Sequence, residues 1–328
     1  MSTPPLRLVA FEITRTCPLS CRHCRGDSHG CVYENELGFH EIAAIFESIA
    51  AFAHPIMIIT GGEPLTRPDV FDIAARSSSL GFRTSLATCG HLLDDDTSSR
   101  LVDAGVLRIS VSLDGACAST HDGFRGIPGA FEAALRGIAS AHRRGLPFQI
   151  NSTLTALNVR ELPALHDLAV ELGAEAFHPF LLVPVGRGTG LADAALSPDD
   201  YERVLEDIAH MAMKSPLEIK PTCSPHYIRI AAKIFRETPS SLNPLDRYAF
   251  NDETRRGPAG GCLGGKGFAF ISHRGRVQIC GFLEHEAGDL RESGYDMKRV
   301  WETSPLFLEV RDTGRYGGAC GRCGFVGV

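Results

Sequence analysis

The chain has 328 residues, 44% of them hydrophobic, and a formal net charge of −6. That is enough apolar material for a large α/β core, or for a barrel with a small appendage, and the acidic balance argues against a general nucleic-acid binder. No apolar run reaches membrane-spanning length, and the opening "MSTPPLRLVA" lacks the basic start and long apolar core of a signal peptide. Eleven cysteines in such a chain point to metal ligation, not disulfides, and to a cytoplasmic protein.

From residue 6 to about 184, short β-branched runs alternate with amphipathic helical stretches. Strands are expected at 6–14, 56–60, 83–89, 107–113, 148–154 and 175–184. Helices are expected near 38–53, 68–80, 94–104, 129–144 and 161–172, with a further one at 198–214. Pro68 suits the first turn of its helix. Gly145 and Gly173 sit just past helices, where a left-handed cap needs no Cβ. Repeated βα units make a parallel sheet, and in barrels of this kind chemistry gathers at the C-terminal strand ends. Beyond residue 215 Gly, Pro and Cys become denser. "RRGPAGGCLGGKG" reads as a loop, and "FAFIS", "HRGR" and "VQIC" read as a hairpin with Gly275 in its turn. The expected division is 1–214 and 215–328.

Cys17, Cys21 and Cys24 form a C-x3-C-x2-C run two residues after the first strand. Three thiolates this close can hold three irons of a [4Fe–4S] cube and leave the fourth open, a reactive arrangement rather than a purely electron-carrying one. A structural zinc completed by His23 or His29 is the competing reading. "TGGEP" follows the second strand. Gly61 and Gly62 let the backbone approach a ligand closely, Glu63 can accept a hydrogen bond from an ammonium, and Pro64 closes the turn. Ser112 and Asp114 alternate onto one face at the end of the fourth strand. Cys262, Cys280, Cys320 and Cys323 follow the pattern C-x12-G-x4-C, a gap, then C-x2-C. A hairpin and a turn can bring these four together around one cluster, with zinc again the alternative. Cys31, Cys89 and Cys117 read as buried or incidental thiols. Cys223, His226 and Tyr227, in "KPTCSPHYIR", are candidate substrate-site groups between barrel and appendage.

Taken together, "FEITRTCPLSCRHCRG", "TGGEPLTRPD", "SLDGACASTHDGFRG", "QINSTLT", "VPVGRG", "TCSPHY" and "GFAFISHRGRVQICGFL" resemble the radical S-adenosylmethionine (SAM) superfamily, SPASM/twitch branch. The similarity is to its tetrapyrrole-modifying members of the siroheme-dependent heme and heme d1 routes. The resemblance implies a partial (β/α)6 barrel with a small C-terminal iron–sulfur domain. It implies that SAM fills the open iron and that its amino group binds at "GGEP". Ser112, Asp114, Asn151 and Thr153 would meet its ribose and methionyl part, Arg125 its carboxylate, and His23, Val185 and Gly186 its adenine. It also implies one auxiliary [4Fe–4S] cluster, or two if further cysteines follow Cys323.

The implied chemistry is reductive cleavage of SAM to a 5′-deoxyadenosyl radical, hydrogen abstraction, and loss of a carboxylate or acetate side chain from a tetrapyrrole. The auxiliary cluster would accept the remaining electron, and a flavodoxin or ferredoxin would supply the first one. The expected substrate is a small molecule, with neither nucleic acid nor membrane as partner. Other readings are a radical decarboxylase or dehydrogenase of a small polar metabolite such as a sugar acid or aminocyclitol, a peptide maturase, and a non-enzymatic iron–sulfur scaffold.

Overall fold

The computed structural model describes residues 3–238 and 262–324. Six parallel strands carry the fold: β1 (Leu8–Thr14), β2 (Ile56–Gly61), β3 (Arg83–Thr88), β4 (Arg108–Ser112), β5 (Phe148–Leu154) and β6 (Ala176–Leu181). Each pairs with the next in sequence order. The two faces of a strand differ in chemistry. In β5, Phe148, Ile150, Ser152 and Leu154 are buried, while Gln149, Asn151 and Thr153 alternate onto the other face. The first face packs on helices and the second lines the barrel interior.

The covering helices are α1 (Phe39–Ala50), α2 (Val70–Ser79), α3 (Asp95–Asp103), α4 (Ala118–Arg125), α5 (Ala130–Arg143), α6 (Leu162–Glu171) and α7 (Pro198–Ala212). Each expected strand and helix of this region is present within a few residues. Three details differ. Helix α2 starts at Val70 with Asp69 as its cap, so Pro68 precedes the helix; the Asp69 carboxylate is held by both Arg67 nitrogens at 2.7 Å. Helix α4, in "ASTHDGFR", was not expected, because Ser, Thr, His, Asp and Gly are weak helix formers. Helix α8 (Tyr227–Glu237) was also missed. Gly145 and Gly173 take positive φ past α5 and α6, as their positions suggest.

The sheet continues past both ends of the six strands. A two-residue strand β7 (Glu218–Ile219) pairs with β6. At the other edge β8 (Phe268–Ile271) lies parallel to β1, and β9 (Arg276–Cys280) and β10 (Leu283–Asp289) follow antiparallel. The order is β10-β9-β8-β1-β2-β3-β4-β5-β6-β7. Hydrogen bonding therefore runs unbroken from the barrel into the expected hairpin, whose turn holds Gly275 at φ +86. Strand β10, rich in charge, carried no strand signal and forms as an edge paired on β9. Helices α9 (Met297–Thr303) and α10 (Pro305–Arg311) follow, α9 against α1 and α10 against β10. Trp301 is buried against Phe307 and donates to the Pro4 carbonyl at 2.9 Å. No helix among the described residues is long and apolar enough to cross a membrane.

Candidate active site

The loop after β1 carries the cysteine triplet and is fastened from several sides. The Gly62 and Glu63 amides donate to the Thr14 and Thr16 carbonyls at 2.8 Å. A Cβ on Gly62 would stand 2.5 Å from the Arg15 and Thr16 carbonyls. The glycines of "TGGEP" are thus required by the cysteine loop itself. From the end of α4, the Phe124 carbonyl accepts from the Arg22 amide at 2.8 Å. From the loop after β6, the Arg187 side chain reaches the Cys21 carbonyl at 2.9 Å, the Ser28 carbonyl at 2.7 Å and Asp27 at 2.9 Å. Gly186, at φ +56, turns that loop onto the Cys24 and Arg25 carbonyls.

These contacts frame a cavity of about 240 Å³ at the C-terminal strand ends. Cys17, Cys21 and Cys24 line it together with His23, Gly61, Gly62, Ser112, Asp114, Arg125, Asn151 and Thr153. Phe180, Leu182, Val183 and Phe282 give it an apolar side. Burial pushes the Cys17 thiol up to about 12. It raises Cys21 as well, although Arg125 opposes the rise. Arg125 is itself buried, with Nη1 3.6 Å from the Cys21 sulfur and Nη2 2.7 Å from Asp114. Burial works to raise the Asp114 carboxyl, but Arg125 and His23 hold it below the usual range. His23 lies 3.3 Å from Asp114, and burial brings its ring down to about 4, so it is neutral at pH 7.

Most residues singled out in the sequence converge on this cavity, but not all. Glu63 is fully buried and is not itself in the lining, although its partners Thr88 and Cys89 are. Its carboxylate accepts from the Cys89 amide at 2.7 Å, the Thr88 hydroxyl at 2.9 Å and the Leu65 amide at 3.2 Å. Pro64, itself buried, begins the 3-10 turn that follows. Val185 and Gly186 lie outside the lining, which takes Val183 from the same segment instead. Tyr227 does not reach the cavity, being fully buried in the core. His226 is exposed, its ring edge-on to Tyr201 at 6.0 Å. Cys223 sits at φ +58. The residue is exposed, yet its thiol is close enough to Cys262 and Cys280 for their charges to raise it, so it belongs beside the second cysteine set.

In that set, Cys262 sulfur accepts from the Gly264 amide at 3.3 Å, Cys280 ends β9, and Cys323 is exposed. The Cys320 side chain lies outside the described residues. No three His, Cys, Asp or Glu side chains among the described residues gather as they would around a single metal ion. Cys31 and Cys117 are exposed, whereas Cys89 is buried beside Cys17 and Cys21 and lines the cavity. Residue type and spacing gave no site role to Arg25, Arg187 or the four apolar residues of the wall, although Arg25, Val183, Arg187 and Phe282 stand inside the quoted motifs, and Cys89 read only as an incidental thiol.

The profile of the radical SAM superfamily matches residues 11–169, and the chain belongs to that superfamily. Within it, the chain falls in the branch of the heme synthases. It is 43% identical over 317 residues to an AdoMet-dependent heme synthase of Methanosarcina barkeri, covering 97% of this chain and 88% of that protein. It is 39% identical to an AdoMet-dependent heme synthase of Nitratidesulfovibrio vulgaris, covering 98% and 85%. A pre-heme d1 synthase of Dinoroseobacter shibae is 36% identical over 184 residues, covering 56% and 45%. Streptococcus suis SuiB bound to S-adenosylmethionine shares the fold, with a TM-score of 0.74 at 17% identity, covering 99% of this chain and 72% of that one. The protein is a radical SAM enzyme that works with SAM and a [4Fe–4S] cluster.

Proposed function

We propose that this enzyme removes carboxylate side chains from a tetrapyrrole by radical decarboxylation, on a route to heme. One observation carries the reading: a single cavity joins a floor of three cysteines to a wall of Phe180, Leu182, Val183 and Phe282. The floor suits a cluster and SAM, and the wall suits the edge of a flat apolar macrocycle. The 43% identity to a heme synthase across nearly the whole chain supports the same substrate class.

The residues present fit the cluster and SAM. Cys17, Cys21 and Cys24 would hold the cluster. His23 Nδ1 and Arg125 Nε are buried beside the cavity without protein partners, as donors or acceptors for a bound group. When bound, these cofactors supply a one-electron cleavage and a radical able to take hydrogen from an unactivated carbon. The chain supplies the rest. The Gly61 and Gly62 peptides offer backbone groups at the cavity edge, and the buried Glu63 carboxylate ties this loop to the end of β3 through Thr88 and Cys89. Ser112, Asn151 and Thr153 offer polar contacts from β4 and β5. Arg125 places positive charge beside the Cys21 sulfur. Phe180 and Phe282 exclude water from the reacting region.

Cys262, Cys280, Cys320 and Cys323 form the proposed auxiliary [4Fe–4S] site, which would accept the electron left after decarboxylation. A flavodoxin- or ferredoxin-type donor would supply the electron that starts the cycle. The test is anaerobic turnover of the reconstituted enzyme with SAM, dithionite and iron tetrapyrroles bearing propionate groups. The expected result is 5′-deoxyadenosine together with carbon dioxide and a tetrapyrrole lighter by the carboxylates lost. SAM cleavage that leaves every tetrapyrrole intact while a peptide or a sugar acid is modified would overturn the reading.

A further inference from the structure

Glu12 of β1 is a buried carboxylate that the cavity does not use. Its side chain is 1% exposed, and it receives Arg25 Nη2 at 2.6 Å, His273 Nδ1 at 2.7 Å and Arg15 Nε at 3.0 Å. Arg15 and Arg25 belong to the cysteine loop, and His273 belongs to the turn between β8 and β9. Arg25 also reaches the next segment. Its Nη1 donates to the Gly281 carbonyl at 3.1 Å, and its guanidinium lies 4.6 Å over the Phe270 ring. A Cβ on Gly281 would stand 3.1 Å from Arg25 Cδ and Nε and 3.1 Å from Phe270, so a glycine suits this close approach. Gly281 sits between Cys280, which ends β9, and Phe282, which lines the cavity. One side chain, adjacent in sequence to Cys24, therefore holds the turn that carries both Cys280 and Phe282.

Buried ion pairs add little net stability, since apolar replacements of similar volume often serve as well. Their better-supported use is to specify one geometry, and a planar fork that bonds a carboxylate and a carbonyl together does this. We propose that Arg25, braced on Glu12, is a positioning residue for the reaction. It sets the Cys280–Gly281–Phe282 turn against the cysteine loop, and so fixes the cavity wall and the second cysteine set relative to the first. Only the turnover arm of the test rests on the tetrapyrrole reading.

The experiment compares the cluster-loaded wild type with Arg25→Lys and Gly281→Ala. Lysine keeps a cation opposite Glu12 but cannot span to the carbonyl as a fork. The alanine methyl displaces the guanidinium from the other side. Hydrogen–deuterium exchange across residues 276–283 should quicken by about tenfold in both, the worth of one hydrogen bond to a charged group, with β3 to β5 unchanged. SAM affinity should weaken several-fold, and product formed per 5′-deoxyadenosine should fall by about tenfold. Unchanged exchange overturns the proposal. So does faster exchange with product coupling and SAM affinity both intact, which would make the joint structural only. If Arg25→Lys fails to hold iron, Gly281→Ala, outside the cysteine loop, decides. If the wild type converts no tetrapyrrole, that reading falls, while exchange and SAM affinity still decide on Arg25.

Discussion

The two cysteine sets are built in opposite ways. Cys17, Cys21 and Cys24 come from one short loop, and the first two are 6% and 7% exposed. Backbone and side-chain bonds from β2, α4 and the loop after β6 hold that loop in place. Cys262, Cys280 and Cys323 come from a loop, a strand end and a C-terminal turn; Cys262 and Cys323 are exposed. A ligand set drawn from one loop needs little chain ordering to close. A dispersed set closes only after distant segments have docked, and each long loop adds to that cost. The first site is thus pre-organised by its neighbours, and the second depends on the hairpin's seat against β1.

The largest effect that would sharpen this contrast is loss of the first set. Replacing Cys17, Cys21 and Cys24 by Ala should abolish 5′-deoxyadenosine formation, read by chromatography. Replacing Cys262, Cys280, Cys320 and Cys323 by Ala should instead remove about one cube of iron, leave SAM cleavage in place and stop product formation. Equal iron in that variant and the wild type would break the contrast. Gly62→Ala comes next. Its methyl would meet the Arg15 and Thr16 carbonyls and Cys17 Cβ. Overpacking of this kind costs roughly 1–3 kcal/mol, and it should appear as a lower melting point with lower iron retention.

Arg187→Ala should act on a similar scale but more locally. It removes the bonds to the Cys21 and Ser28 carbonyls, and each hydrogen bond from a charged donor is worth about 1.5–3 kcal/mol before water replaces it at this half-buried side chain. Iron release to a chelator should quicken from the first site and not from the second; equal release from both would show that the clamp is not local. The smallest effect concerns the seat of the C-terminal segment. The hydrogen bonds from Arg291 bring the Glu41 carboxyl down to about 2 from its ordinary 4.5. A lowered carboxyl stabilises the fold above pH 4.5, and that contribution is lost as pH falls toward 2. The pair is partly exposed, so Glu41→Gln should cost only about 0.2–1 kcal/mol at neutral pH and flatten the acid unfolding slope in that window.

Much of the barrel was legible because its strands and helices carry their own period. The six strands and the helices between them follow from alternation and from runs of four or more apolar residues. The elements that were missed have weak local signals. Helix α4 is made of poor helix formers and is held by the loop it packs on, and β10 is charged and exists only because β9 offers an edge. At the site, residue type and spacing singled out the triplet and the polar strand ends, and these residues line one cavity. Type and spacing did not reveal direction. Glu63 looked like a direct ligand contact, and its carboxylate is held by Thr88 and Cys89, two residues that line the cavity. Tyr227 looked available and is buried, since α8 packs it into the core. Arg25 and Glu12 were invisible because their meaning lies in a partner some 260 positions away, at His273 and Gly281.

Strand β1 lies between β2 and β8 in the sheet. Its first neighbour is synthesised within about fifty residues, but its second, Phe268–Ile271, comes far later. During translation the outer edge of β1 therefore stays bare through most of the chain's emergence, directly beneath the cysteine loop. An open strand edge invites wrong pairing, and a long-range partner forms slowly. Late docking of β8 also means that Glu12 first meets Arg15 and Arg25, and only afterwards His273. Maturation of this enzyme thus has an intrinsic order. The cysteine loop is complete on the nascent chain before the strand that seals its flank exists, and a metallocentre inserted early would be guarded on one side only until the last fifth of the chain arrives.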